Sequence, residues 1–278
     1  MKKDFNFEGG LNSVLKTKWM DYTTVDPTYG TRPNRNVLSK TVNSTIRDAI
    51  LEGVIDIDKY HELQLVICWT MTKTFLLRGC KEHSTMTWNR LKFGLYEEEE
   101  PMKDMPYVEL LSGTAPRKCN QLHLGNHTLR AESVRNIHIC DPVDPLDCYI
   151  LLQKYKKMCD PNQQRFYCYR LSSAQMQQQI LKFGELRYQS SILSPVGANL
   201  IGCWCKILAT KAGVENPEKC TNHSFRTYGI TRNATNPAVP IQEGMALSGH
   251  QSAHSYLTYA RNTPESKQQR LQGMRRFN

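Results

Sequence analysis

Residues 63–77 constrain the fold more than any other part of this chain. The run is fifteen residues long, is the most apolar stretch present, and carries Thr70, Thr72, Lys73 and Thr74. It falls short of the roughly 18 uninterrupted apolar residues that a membrane-spanning helix needs. The pattern instead predicts a helix over residues 60–77, buried inside a protein core. Material for that core is ample, because 40% of the 278 residues are hydrophobic and only 22% are charged, unlike a disordered chain. The first residues, Met1, Lys2, Lys3, Asp4 and Phe5, put an acid where a secretory signal would start its apolar region, so no export signal is expected. The ten cysteines are accordingly expected as free thiols that pack as small hydrophobes in a reducing compartment.

The remaining elements are expected around that helix. Residues 1–35 mix charge, aromatics and turn formers (Gly9, Gly10, Pro27, Gly30, Pro33) without a period and read as an arm or linker. Val37, Val42, Ile46, Ile50 and Leu51 fall on a helical stripe that stops at Gly53, predicting a helix antiparallel to 60–77. After Trp88 the acidic run 97–100, Pro101 and Pro106 exclude a helix. Residues 107–111, Leu122 with Leu124, and Ile137 with Ile139 predict a meander of about three strands between 88 and 140. An amphipathic helix is expected over 145–158, and Phe166, Tyr167 and Tyr169 read as a short extended piece. The Gln-rich patch at 175–179 is too short to count as low complexity.

From residue 196 the pattern is helical. A helix over 196–212 is closed by Gly213, a second runs from an Asn222 N-cap to about Arg232, a third covers 241–248 and ends at Gly249, and a fourth covers 252–260. The predicted fold is mainly α with a small three-stranded antiparallel sheet, in one domain over 36–262. A basic tail, 263–278, follows it.

A formal charge of +10, from 36 Lys+Arg against 26 Asp+Glu, points to an acidic partner, either nucleic acid or an anionic membrane face. Three separated pieces narrow the choice. Residues 76–83 place Arg78 at the end of the buried helix. Residues 221–226 place His223 and Arg226 three apart, on one helix face. In residues 247–250, His250 precedes Tyr259 by nine positions. Such a set suits attack by a phenol on a phosphodiester. Charge builds on the non-bridging oxygens, and arginine grips two such oxygens in a planar fork without deprotonating. Histidine supplies a base or a donor near neutral pH, and tyrosine can form a covalent bond to the broken strand. No metal or cofactor is needed.

These residues resemble the tyrosine recombinases, and within them the Crypton-type transposon recombinases of eukaryotes and their domesticated relatives. The likeness is carried by Phe75-Leu76-Leu77-Arg78-Gly79-Cys80-Lys81-Glu82-His83 with Trp88 ten residues after the arginine, by the helix 148–155, by Thr221-Asn222-His223-Ser224-x-Arg226, and by Leu247-x-Gly249-His250 with Tyr259 at plus nine. It covers about residues 36–262.

The resemblance implies the DNA breaking-rejoining fold and a 3′-phosphotyrosyl intermediate with a free 5′-hydroxyl. Arg78 and Arg226 would be the clamp, His223 and His250 the histidines, and Tyr259 the nucleophile. The family also carries a lysine in the hairpin between its second and third strands that protonates the leaving 5′-oxygen. Lys118 is the candidate for it and Arg117 the fallback. Double-stranded DNA is the implied partner, with self-association to a tetramer on synapsed DNA, in the nucleus. Neither a membrane nor a small-molecule substrate is implied. Relatives place a helical clamp domain of about 100 residues before the catalytic one, and residues 1–35 are too few to fold into it.

Other readings stand beside these. His223 with Arg226 could be a solvated helix face, Arg78 an ion pair with Glu82, His250 a helix terminus and Tyr259 a core aromatic. Tyr256 is the rival nucleophile, six residues after His250 rather than nine. Cys203, Cys205 and Cys220 with His223, or Cys119 with His123 and His127, could be drawn as zinc ligands. Zinc is not expected, since side chains two apart on a helix diverge by about 200°. The alternative function is a domesticated DNA-binding or scaffold domain that keeps the fold but does not cut.

Overall fold

The computed structural model describes residues 40–98, 102–111, 136–236, 239–250 and 252–260. All belong to the second of two units into which the chain divides, Asn36–Asn278. The arm 1–35, the strand expected at Leu122 and Leu124, the hairpin residues Arg117 and Lys118, the zinc alternative Cys119, His123 and His127, and the tail 263–278 lie outside the described residues.

Among the described residues the protein is mainly helical with a small antiparallel sheet of three strands. The first helices are α1 (Lys40–Leu51), α2 (Tyr60–Thr74) and the short α3 (Gly79–Ser84). Every residue of α2 from 63 to 72 is buried. A helix apolar on all sides needs neighbours on all sides, and α2 has them in α4 (Cys148–Met158), α6 (Ala198–Lys211) and α7 (Asn222–Thr235). The expected pairing with α1 is not among these principal contacts, since α1 meets α6 more than it meets α2. Trp69 Nε1 joins α2 to α1 by donating to Asn43 Oδ1 at 3.2 Å.

The sheet has the order β1 (Leu91–Leu95), β2 (Pro106–Leu110), β3 (Asn136–Ile139). Phe93 stands opposite Val108, and Val108 opposite His138. Asp147 ties the sheet to α4. One of its carboxylate oxygens accepts from the Tyr149 backbone N–H at 2.7 Å as the N-cap of α4, and the other lies 2.7 Å from His138 Nε2 on β3.

Several elements depart from expectation, among them β1, which is not one of the three strands expected. The Gln-rich patch is part of a helix, α5 (Ser173–Phe183), between the strands β4 (Cys168–Arg170) and β5 (Ser190–Pro195) of a second, two-stranded sheet. Ser172 and Gln175 form a capping box at its start, and Gly184 ends it at φ +77°. The N-cap of α7 is Thr221 rather than Asn222. Its hydroxyl accepts from Ser224 N at 3.1 Å while Ser224 Oγ accepts from Thr221 N at 2.7 Å, a reciprocal box that Asn222 would have to form one residue later. The last helices are α8 (Ile241–Ser248) and α9 (Ala253–Ala260). No described helix is long and apolar enough to cross a membrane.

Candidate active site

Arg78 is placed by a sharp reversal after α2. Leu76 adopts φ +53° and Gly79 φ +45°. A left-handed conformation costs a leucine about 1–2 kcal/mol. What offsets it is burial, because the Leu76 side chain packs with Ile230 of α7 and Tyr256 of α9 in a small satellite core. The Arg78 backbone N–H donates to Glu82 Oε2 at 2.6 Å, so the acid caps α3. Glu82 therefore satisfies the arginine's backbone, and no ion pair joins it to the guanidinium. His83 is fully buried beneath the turn, with Nε2 2.8 Å from Thr72 Oγ1 and Nδ1 3.1 Å from the Tyr167 hydroxyl. Its role is to hold α3 against the core.

Close approach of α7 to α2 depends on Gly229. A Cβ there would lie 2.5 Å from the Lys73 carbonyl oxygen and 2.6 Å from Leu76 Cδ2. With the helices this near, Arg226, three residues before Gly229, is only 7% exposed. Its Nη2 donates to the Ser248 carbonyl. Arg78 Nη2 donates to the next carbonyl, Gly249, at 2.9 Å. Two arginines from distant parts of the chain thus converge on one corner, the C-terminal end of α8, where exposed carbonyls favour cations. A guanidinium carries five N–H donors, so each group can bond a carbonyl at this corner and still make other contacts.

Gly249 makes that corner by adopting φ +68°, which ends α8 and turns His250 back toward it. The His250 backbone N–H donates to Met245 O at 2.9 Å, and its Nδ1 lies 2.6 Å from Ser248 Oγ. Burial, with the Arg226 and Arg78 charges nearby, lowers the imidazole pKa to about 4. The ring is therefore neutral at physiological pH.

Two tyrosines of α9 flank it, with ring centres 5.7 Å (Tyr256) and 5.3 Å (Tyr259) from that of His250. Tyr256 is 1% exposed and its hydroxyl has no hydrogen-bond partner. Tyr259 is partly exposed. Of the two, Tyr259 is the more exposed.

The candidate residues from the three sequence pieces are thus distributed as follows. Arg78, Arg226, His250 and Tyr259 gather around the end of α8. His223 is exposed on the first turn of α7, one turn before Arg226. Ser248, in contact with His250, is a site residue that sequence patterning passes over. Among the described residues, no group of three or more His, Cys, Asp or Glu is arranged to hold a metal ion, and this includes Cys203, Cys205 and Cys220 with His223. Those cysteines are free thiols.

No family model, no curated protein and no solved structure matches the chain.

Proposed function

We propose that the chain is a Crypton-type tyrosine recombinase catalytic domain, which cuts and rejoins double-stranded DNA through a 3′-phosphotyrosyl intermediate. One observation carries the assignment. Arg78 and Arg226 donate to the successive carbonyls of Gly249 and Ser248, beside a neutral His250 whose ring centre lies 5.3 Å from that of Tyr259. Cation pair, base and phenol are the parts that attack on a phosphodiester requires.

In this scheme the scissile phosphate binds between the two guanidinium groups, which meet the charge that develops on its non-bridging oxygens. The Tyr259 oxygen attacks phosphorus, the 5′-oxygen leaves with a proton from Lys118, and rejoining runs the same steps backward. His223, exposed beside Arg226, faces the same substrate as a further hydrogen-bonding group. The remaining positive charge draws in the phosphate backbone over a wider surface, with an affinity that falls steeply with salt. The setting is the nucleus, where chromosomal DNA is met, and strand exchange would engage a tetramer of this chain.

A non-cutting DNA-binding or scaffold domain is the second reading. It is favoured by the fact that both arginines already bond backbone carbonyls, a use that a scaffold would also make of them. A nicked suicide duplex separates the two. The enzyme leaves a denaturation-resistant protein–DNA adduct that Tyr259→Phe abolishes, whereas the scaffold binds the duplex and leaves none.

A further inference from the structure

α5 and the strand that follows it carry an apolar surface that the described residues leave open. The one buried side chain of α5 is Gln179, whose amide bonds the Tyr188 backbone, donating to its carbonyl at 3.1 Å and accepting from its N–H at 3.4 Å. A surface helix of a globular domain ordinarily buries an apolar stripe instead. Here Ile180 and Leu181 of α5, Leu186 beyond it, and Ile192 and Leu193 of β5 are all exposed, Leu181 at 78% and Leu193 at 85%. Apolar surface gathered in this way inside a polar rim marks an interaction site. The rim is basic. Lys182 Nζ and the Arg187 guanidinium lie 5.0 and 4.2 Å from the centre of the Phe183 ring. Residues 169–193 carry Arg170, Lys182 and Arg187 against one acid, Glu185. The leucines argue against duplex DNA as the occupant, because a phosphate backbone is held by charged and polar donors.

The complement to this face lies elsewhere on the same chain. The turn from β1 to β2 is closed by Tyr96 N donating to Met105 O at 2.9 Å and Asp104 N donating to Tyr96 O at 2.7 Å. It presents Leu95, 55% exposed, beside the exposed acids Glu97, Glu98 and Asp104, with Lys103 as the base among its described residues. Phosphates repel such a turn, so it too suits protein rather than DNA. Neither β1 nor β2 shares a principal contact with α5, β4 or β5, so the two surfaces do not cover each other within one copy.

We propose that they bind each other between copies, the acidic β1–β2 turn of one copy seated on the basic-rimmed apolar face of α5 and β5 in the next. Leu95 meets Leu181 and Leu193 at the centre, while Glu97 and Glu98 pair with Lys182 and Arg187 at the rim. Because the two halves differ, the contact is head-to-tail. It closes into a ring or grows as a filament rather than stopping at a two-fold dimer. A ring of four is the assembly that the strand exchange proposed above would engage, but the contact uses no residue of the candidate active site and stands without that reading.

Sedimentation velocity of the full chain without DNA, over a concentration series, tests the contact. The wild type is expected to associate, and less so as salt rises. Lys182→Glu with Arg187→Glu makes both surfaces acidic. Glu97→Lys, Glu98→Lys, Glu99→Lys and Glu100→Lys together make both basic. Each variant should stay monomeric where the wild type associates, and an equimolar mixture should recover association, since each surface then meets its opposite charge. Leu193→Asp should be monomeric with the turn untouched. A wild type that is monomeric at every concentration, or a mixture that stays monomeric, would overturn the contact. So would association of the four-lysine variant alone, the mark of a dimer made by α5 against α5. An acidic variant that still associates but loses duplex affinity would overturn it as well and assign the face to DNA. Circular dichroism checks each fold, and should a charge variant fail to fold, the wild type and Leu193→Asp decide. Adduct formation is not read, so a chain that assembles and never cuts would count against the proposed function alone.

Discussion

Gly244 and Tyr256 approach so closely that a Cβ built on the glycine would lie 2.0 Å from the tyrosine hydroxyl. This contact seats α9 on α8. It buries Tyr256 and leaves Tyr259, nearly one turn further on, partly exposed beside His250. The packing of one tyrosine thereby sets the position of the other.

Gly244→Ala is expected to push the Tyr256 ring away and shift α9. Overpacking of this kind costs about 1–3 kcal/mol. The main core around α2 does not include this contact, so adduct formation should fall far more than the denaturation midpoint. Equal loss of both, measured on the same preparation, would mean that α9 is not an independent seat for the nucleophile.

Tyr256→Phe removes a buried hydroxyl that has no hydrogen-bond partner. Leaving such a group unpaired costs about 1–3 kcal/mol, so the variant should be as stable as the wild type or more so by chemical denaturation. It should also keep forming the adduct. Loss of the adduct with the fold intact would identify Tyr256 as the nucleophile.

Arg78→Lys and Arg226→Lys keep the charge but lose the planar fork. Each should slow single-turnover adduct formation about 10²- to 10³-fold, the range for losing one preorganised donor to developing charge. Binding, followed by fluorescence anisotropy at fixed salt, should change little. The Arg226 variant should also lose stability, since this nearly buried guanidinium anchors the end of α8. Activity near the wild-type level in either variant would contradict the clamp.

His250 gives stability a pH dependence of predictable sign. Its folded pKa, lowered to about 4 by burial and then by the Arg226 and Arg78 charges, lies below the roughly 6.5 of an unfolded histidine. Between these values the unfolded chain binds more protons, so stability falls as pH drops through that window. Burial lowers the His61 pKa as well, in the same direction. The difference between wild type and His250→Gln therefore isolates His250, and the wild type should lose more stability from pH 7 to pH 4. Asp144, held low first by its bond to Arg47, loses its contribution only as pH falls through its depressed pKa, below the ordinary carboxylate value. Parallel denaturation curves for the two proteins would contradict a neutral, buried His250.

How far the fold is legible in the sequence depends on whether each signal is local. The run 63–77 is readable as the hub because its apolar length alone demands neighbours on all sides, and Gly213 and Gly249 mark real helix ends because each takes the left-handed conformation that glycine adopts without strain. α5 shows where composition misleads. The glutamines conceal a helix whose Ser172 and Gln175 capping pair and closing Gly184 were both local signals.

Spacing brings out Arg78, Arg226, His250 and Tyr259 of the candidate site. Ser248 has no such signal. It reaches His250 only because the left-handed Gly249 folds the chain back, and that contact exists only in three dimensions. The same is true of Gly229 and Gly244, whose value lies in what a Cβ would strike.

The most direct test is to digest the adduct formed on a nicked suicide duplex and locate the nucleotide by peptide mass spectrometry. The expected result is a nucleotide-bearing peptide with its phosphate on Tyr259, absent from Tyr259→Phe. No adduct from the wild type on any mixed-sequence duplex, or a phosphate on Tyr256 or any other residue, would contradict it.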